Sequence, residues 1–132
     1  MNSDETTTLP TFLLVSGGHD TIWQGILEQV VRPLGHLEIV SADCAVNRVM
    51  ARAYKAILVD ASATDDFSLL TSRIRGQQPD ARVLVITASP TWKRARDAFQ
   101  AGATDYIRKT LSKDDLFAAL QAALAKPLVP WP

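Results

Sequence analysis

Apolar and polar positions alternate along this chain in blocks, and the period changes from block to block. The runs Phe12 to Val15, Ala56 to Val59 and Val83 to Ile86 are continuously apolar and bounded by turn residues. Such runs predict parallel strands buried on both faces. Leu37 to Val40 alternates more loosely, as a half-exposed edge strand does, and Asp105 to Ile107 is a short fifth run. Between the runs, apolar residues recur at helical spacing. Ile22, Trp23, Ile26, Leu27, Val30, Val31 and Leu34 form the first stripe, closed by Pro33 and Gly35. Val46, Val49, Met50 and Ala53 form the second, and Phe67, Leu70 and Ile74 the third, stopped by Gly76 and Pro79. Trp92, Ala95 and Phe99 mark a fourth helix ending at Gly102, and Leu116, Phe117, Leu120 and Leu124 a fifth. The expected caps are Asp20 or Thr21, Asp43, Ser89 followed by Pro90, and Ser112 with Asp115 three residues on.

Five strand-then-helix units with short connections imply a parallel sheet covered by helices on both faces. The predicted class is α/β: a flavodoxin-like, doubly wound, five-stranded parallel sheet with five helices, a three-layer sandwich. The half-polar second strand belongs at an edge, which favours the order 2-1-3-4-5 with a switch point between strands one and three. The loop after Val15 and residue Asp60 then face each other across the crevice.

Composition narrows the picture modestly. The 132 residues fit one domain, expected over 9–126, after a flexible segment 1–8 and before a proline-rich tail or linker stub 127–132 carrying Trp131. Lys+Arg and Asp+Glu both number 14, so no global charge points to nucleic acid or a membrane. No apolar stretch reaches a membrane span, and the start lacks a secretory leader's pattern. The lone Cys44 forbids an internal disulfide. The expected compartment is the cytoplasm.

Chemistry gathers where the strands end. Asp60 follows "AILV", Thr87 follows "VLVI", and Lys109 follows "DYIR". Groups just past strand carboxyl ends converge on one crevice in an open α/β sheet. A carboxylate, a hydroxyl and an ammonium there can accept, hydrogen-bond and neutralise a phosphoryl group. With these residues the chain resembles the receiver domain of bacterial two-component response regulators, from about Leu9 to Lys126. "AILVDAS", "VLVITAS" and "AGATDYIRKT" carry the likeness.

The resemblance implies Asp60 as phosphoacceptor, Thr87 and Lys109 as contacts to the phosphoryl oxygens, and Thr87 with Tyr106 as a conformational switch. It implies a histidine kinase or other signalling protein as partner, and an output protein or domain outside this chain. The surface of the fourth helix, fifth strand and fifth helix is the expected partner face. Direct contact with nucleic acid or membrane is not expected, and the module is not expected to be an enzyme.

Two departures stand out. Where the family usually carries two acids after strand one, this chain has Ser16 and Gly17, and where it usually has proline after the lysine, this chain has Thr110. A trans bond is expected at Thr110. The metal ligands implied are Asp60 and the Ser62 backbone carbonyl. With only Asp60 and Lys109 charged, the pocket is near neutral, so Mg²⁺ binding is expected to be weak or absent. Asp20, four residues after Ser16, is expected on the helix, with a replacement charge for the pocket as the alternative.

The remaining candidates have plainer readings. Gly17-Gly18 suits a tight βα turn, with a small anion nest as the alternative. His19 and His36 lack metal-ligand spacing and read as loop histidines. Cys44 reads as an inert thiol. Trp92 shares a helical face with Phe99, which predicts core packing, and Lys93, Arg94 and Arg96 predict a solvated face. Three functions stay open: a phosphoryl-accepting receiver, a degenerate receiver acting as a phosphorylation-independent interaction module, and a flavodoxin-like cofactor binder or enzyme using "SGGHD" as a phosphate cradle.

Overall fold

A computed structural model describes residues 9–127. The expected loose segment 1–8 and Trp131 of the tail lie outside those residues. Strands β1 Thr11–Val15, β2 His36–Val40, β3 Ala56–Asp60, β4 Arg82–Thr87 and β5 Asp105–Arg108 form one sheet in the order β2-β1-β3-β4-β5. Every pairing is parallel. Helices α1 Thr21–Val31, α2 Ala42–Ala51, α3 Phe67–Gln77, α4 Trp92–Gln100 and α5 Lys113–Leu124 make the crossovers, and a 3₁₀ turn, Ala61–Ala63, follows β3. The doubly wound architecture is the one the alternation of runs predicted. No helix among the described residues is long and apolar enough to cross a membrane.

The apolar strands are continuous because both of their faces are covered. Phe12, Leu14, Leu58, Leu84 and Ile86 pack with Trp23 and Leu27 of α1 and Leu116 and Leu120 of α5. Their alternate neighbours Leu13, Val15, Ile57, Val59 and Val83 pack with Val49 of α2 and Leu70 and Ile74 of α3. Burying each Leu or Ile contributes about 1.5–3 kcal/mol. A third, smaller cluster of Ala61, Val85, Ala98 and Ala103 sits under α4. The central β3 is buried throughout, whereas β2 is largely uncovered at the edge. Gly35 lets α1 turn back beside β1, since a Cβ there would strike the Pro10 carbonyl.

Several local expectations are corrected. Ser41, not Asp43, is the N-cap of α2, and Asp43 falls in the first turn, where its charge suits the helix dipole. Thr91, not Ser89, caps α4 and accepts from the Arg94 N–H at 3.1 Å. The Ser89 N–H is committed instead to the Thr87 hydroxyl oxygen. Gly76 lies inside α3, which runs on to Gln77. Ala53 lies beyond the end of α2. Ile22, Met50, Trp92 and Phe117 are exposed, so each stripe is narrower than its apolar residues suggest. In α4 the core position belongs to Ala98, and Trp92, 76% exposed, carries the Arg96 guanidinium 5.1 Å from its ring centre. In α5, Ala123 takes the inner position and Leu124 packs only at the edge of the cluster.

Candidate functional site

The register places the strand ends side by side. Val15 pairs with Val59, Asp60 with Ile86, and Thr87 with Arg108, so β1, β3, β4 and β5 all terminate on one edge of the sheet. Asp60 is the last residue of β3, only 3% exposed, and it caps the short turn that follows. One carboxylate oxygen, Oδ1, accepts from the Ser62 N–H at 3.0 Å and the Ser62 hydroxyl at 2.7 Å. The other, Oδ2, meets the Lys109 Nζ at 2.8 Å. Lys109 is anchored by its own N–H, which donates to the Thr87 carbonyl at 2.8 Å. The structure thus brings Asp60 and Lys109 into direct contact.

Asp20 both starts the helix and reaches the same site, so the alternative reading of it as an added charge is the one the geometry brings forward. Its Oδ1 accepts from the Trp23 N–H at 3.2 Å as the N-cap of α1. Its Oδ2 lies 3.1 Å from the Lys109 Nζ. Gly18, at φ +79°, provides the left-handed turn that lets the loop double back. The Ser16 hydroxyl accepts from the Gly18 N–H at 3.1 Å and donates to Gln24. Counting Asp20, Asp60 and Lys109, the pocket carries a formal charge of −1 rather than the near-neutral balance expected.

The ammonium of Lys109 also lies 5.0 Å from the centre of the Trp23 ring, in cation–π range. Burial pulls the Lys109 pKa down, but hydrogen bonds to Asp60 and Asp20 and their charges raise it above its ordinary value. The hydrogen bond from Lys109 holds the Asp20 carboxyl below its usual range, against a smaller opposing effect of burial.

Thr87 faces the other side of the crevice. Its hydroxyl oxygen accepts from the Ser89 N–H at 3.1 Å and from Arg94 Nη1 at 3.4 Å, which leaves the O–H itself free to donate. Arg94 is therefore not merely part of a solvated face: its guanidinium turns towards the site and lies 5.9 Å from the Phe67 ring centre. Lys93 does follow the expectation and pairs with Asp97 on the surface. Tyr106 packs against the small cluster under α4, and its hydroxyl is buried without a partner among the described residues. Gly17 sits beneath the His19 ring, where a Cβ would fall 2.8 Å from Cδ2. Among the described residues no three His, Cys, Asp or Glu side chains gather to hold a metal. The peptide bond before Thr110 is trans.

The asymmetry of what the residue order announced is physical. Strand-end positions are fixed by the sheet, so Asp60 and Lys109 could be placed from their runs. The contacts of Asp20 and Arg94 depend on side-chain reach from helix starts. The only available signal for Asp20 was that it is the sole acid in the loop after β1.

Comparison with known proteins agrees with this fold. The profile of the family described as "Response regulator receiver domain" matches residues 22–121. The transcriptional regulatory protein ZraR of Escherichia coli O157:H7 is 31% identical over 103 residues, covering 76% of this chain and 23% of that protein. A response regulator from Thermotoga maritima superposes with a TM-score of 0.77 at 21% identity, over 89% of this chain and 99% of the other. A response regulator protein from Burkholderia pseudomallei, solved with a phosphorylated aspartic acid, calcium ion and citrate, superposes with a TM-score of 0.73 at 24% identity, over 88% and 69% of the two chains. The class is a signalling module of the flavodoxin-like fold. This chain belongs to the response regulator receiver domain family of two-component systems, and it spans about a quarter of the ZraR relative it matches.

Proposed function

We propose that Asp60 accepts a phosphoryl group from the phosphohistidine of a partner kinase, and that the chain signals through protein contacts. The observation that carries this reading is the buried Asp60 carboxylate at a strand end, with the Lys109 ammonium 2.8 Å from one oxygen. In the step, a carboxylate oxygen of Asp60 forms the new bond to phosphorus. The phosphorus–nitrogen bond of the phosphohistidine breaks, and its electron pair stays on the leaving imidazole. Lys109 transfers its contact from Asp60 to the phosphoryl oxygens, which it neutralises, and the Thr87 O–H donates to another. Thr87 and Tyr106 form the switch, since Thr87 bonds Arg94 of α4 and Tyr106 packs against the small cluster under that helix.

Asp60, with the Ser62 backbone carbonyl and Asp20 beside it, fits the one or two carboxylates that Mg²⁺ ordinarily takes. When bound, Mg²⁺ supplies charge neutralisation on the transferring group. Its binding is weaker here than in receivers with two acids after β1, because Ser16 and Gly17 supply no carboxylate and Lys109 already pairs with both carboxylates present. The partners are a histidine kinase and an output protein or domain, with no direct nucleic-acid or membrane contact, and the module works in the cytoplasm.

The test is incubation with acetyl phosphate and Mg²⁺ followed by intact-mass measurement. One added phosphoryl group is expected, absent in Asp60→Asn. Equal labelling of that variant would overturn the assignment.

A further inference from the structure

We propose that Asp20 is the second acidic residue of this site, acting from the N-cap of α1 in place of the carboxylates that Ser16 and Gly17 do not supply. Its charge positions Lys109 and sets the pocket's affinity for a divalent cation. The proposal rests on phosphoryl acceptance at Asp60 and adds a residue to that chemistry.

The two oxygens of Asp20 have separate partners. Oδ1 is tied to the Trp23 N–H, and Oδ2 faces Lys109 at 3.1 Å. The cap fixes the side chain's rotamer, so the second oxygen is held ready without further loss of freedom when a cation arrives. The two carboxylates also differ in setting. The Asp20 side chain is 42% exposed and that of Asp60 4%, so Asp20 forms the solvent-facing rim, Asp60 the floor, and Lys109 the link between them.

This arrangement has two consequences. Removing the charge of Asp20 would bring the formal charge of the three groups from −1 to zero, and a divalent cation would lose the attraction that draws it in. Asp20 also gives Lys109 a counter-ion that does not take part in the chemistry. When Asp60 reacts and the ammonium moves to the phosphoryl oxygens, the Asp20 contact stays in place and keeps the ammonium positioned through the transfer.

Asp20→Asn separates this role from simple capping, because Asn and Asp cap helices equally well while Asn carries no charge. The full chain with Trp92→Phe and Trp131→Phe leaves Trp23 as the only tryptophan. Mg²⁺ titration is then followed by Trp23 emission, which responds to Lys109 across the 5.0 Å ring contact. In Asp20→Asn the Mg²⁺ dissociation constant is expected to rise about tenfold or more, with the unfolding midpoint near that of the parent. Adding Ser16→Asp to that variant is expected to restore affinity, because it returns a carboxylate to the same pocket. An Asp20→Asn protein that binds Mg²⁺ as the parent does overturns the proposal, as does a parent whose emission ignores Mg²⁺. Labelling by acetyl phosphate is measured separately by mass. A parent that gains no phosphoryl group refutes acceptance at Asp60, whereas the titration judges Asp20 by itself.

Discussion

Lys109 holds the pocket together at the scale of single residues: Asp60, Asp20 and the Trp23 ring all converge on its ammonium. A buried ion pair contributes little over a well-packed apolar pair, but breaking one side leaves an uncompensated charge at a cost of about 3–5 kcal/mol. Asp20 lies partly in solvent, so it adds less to that cost than Asp60 does. Lys109→Met is therefore expected to destabilise the domain by about 3 kcal/mol, chiefly through the stranded Asp60 carboxylate. Asp60→Asn added to Lys109→Met should recover much of that loss. Urea unfolding of the four proteins in the double-mutant cycle measures it, and additive effects of the two substitutions would show that the pair carries no coupling. Asp60 and Lys109 were legible in the sequence because each closes an apolar run whose place in the sheet is dictated by period and order. The pairing of Lys109 with Asp20 was not, because it joins residues 89 positions apart through side-chain reach. Arg94 was hidden in the same way inside a run of three basic residues, of which it alone turns inward to the Thr87 hydroxyl.

Among the elements, the edge strand β2 is secured by a half-buried acid on the side facing α2. Glu38 Oε1 accepts from the Tyr54 hydroxyl at 2.8 Å and from Arg48 at 3.1 Å, and Oε2 meets Arg52 at 2.6 Å. These contacts tie the strand to α2 and the segment after it, and a charge on an edge strand also discourages pairing with another chain. The hydrogen bond from Tyr54 is the main reason the Glu38 carboxyl lies below its ordinary 4.5; burial opposes it, and the charges of Arg52 and Arg48 add to it. A lowered folded-state pKa means that this stabilisation is full above the unfolded value and fades as pH falls through the lower folded one. Glu38→Gln is expected to lose about 1 kcal/mol at neutral pH, with the gap from the parent closing below 4.5. Thermal melts across the acid range measure this, and a gap independent of pH would rule out the charge as its source. Elements themselves were readable from periodicity, but their exact starts were not. Ser41 rather than Asp43 and Thr91 rather than Ser89 became the caps, because the cap is whichever residue stands, in extended backbone, where the first helical turn begins. Trp92 shows the same limit for burial: spacing put it on the stripe of Phe99, yet the helix rolls Ala98 inward and leaves the indole outside.

Across the whole molecule, the crevice is built from rigid strand ends on one side and a lightly anchored helix on the other. The two large clusters hold α1, α5, α2 and α3 to the sheet. Beneath α4 lies only the small cluster built on Ala61, Val85, Ala98 and Ala103, with Phe67 and Tyr106 at its margin. Ala98 is the one fully buried residue that α4 contributes. Segments with few buried apolar contacts open at lower free energy than the core. The amides of α4 are therefore expected to exchange hydrogen faster than those of α1 or β3 in the unmodified protein. The same helix supplies Arg94 to Thr87, so a change at the strand ends has a direct route to it. If Thr87 donates its O–H to a phosphoryl group on Asp60, its contacts with Arg94 and Ser89 must be redrawn. The start of α4 and the neighbouring Tyr106 are then the first parts to respond. A ligand shifts such an equilibrium only by its difference in affinity between the two states. Hydrogen-exchange mass spectrometry with and without acetyl phosphate and Mg²⁺ is expected to change protection in α4 and around Tyr106, and to leave α1 beyond its first turn unchanged. Asp60→Asn should abolish the change, whereas Arg94→Ala should shift α4 protection before any phosphodonor is added. Identical exchange in phosphorylated and unmodified protein would mean that the modified site has no mechanical link to α4.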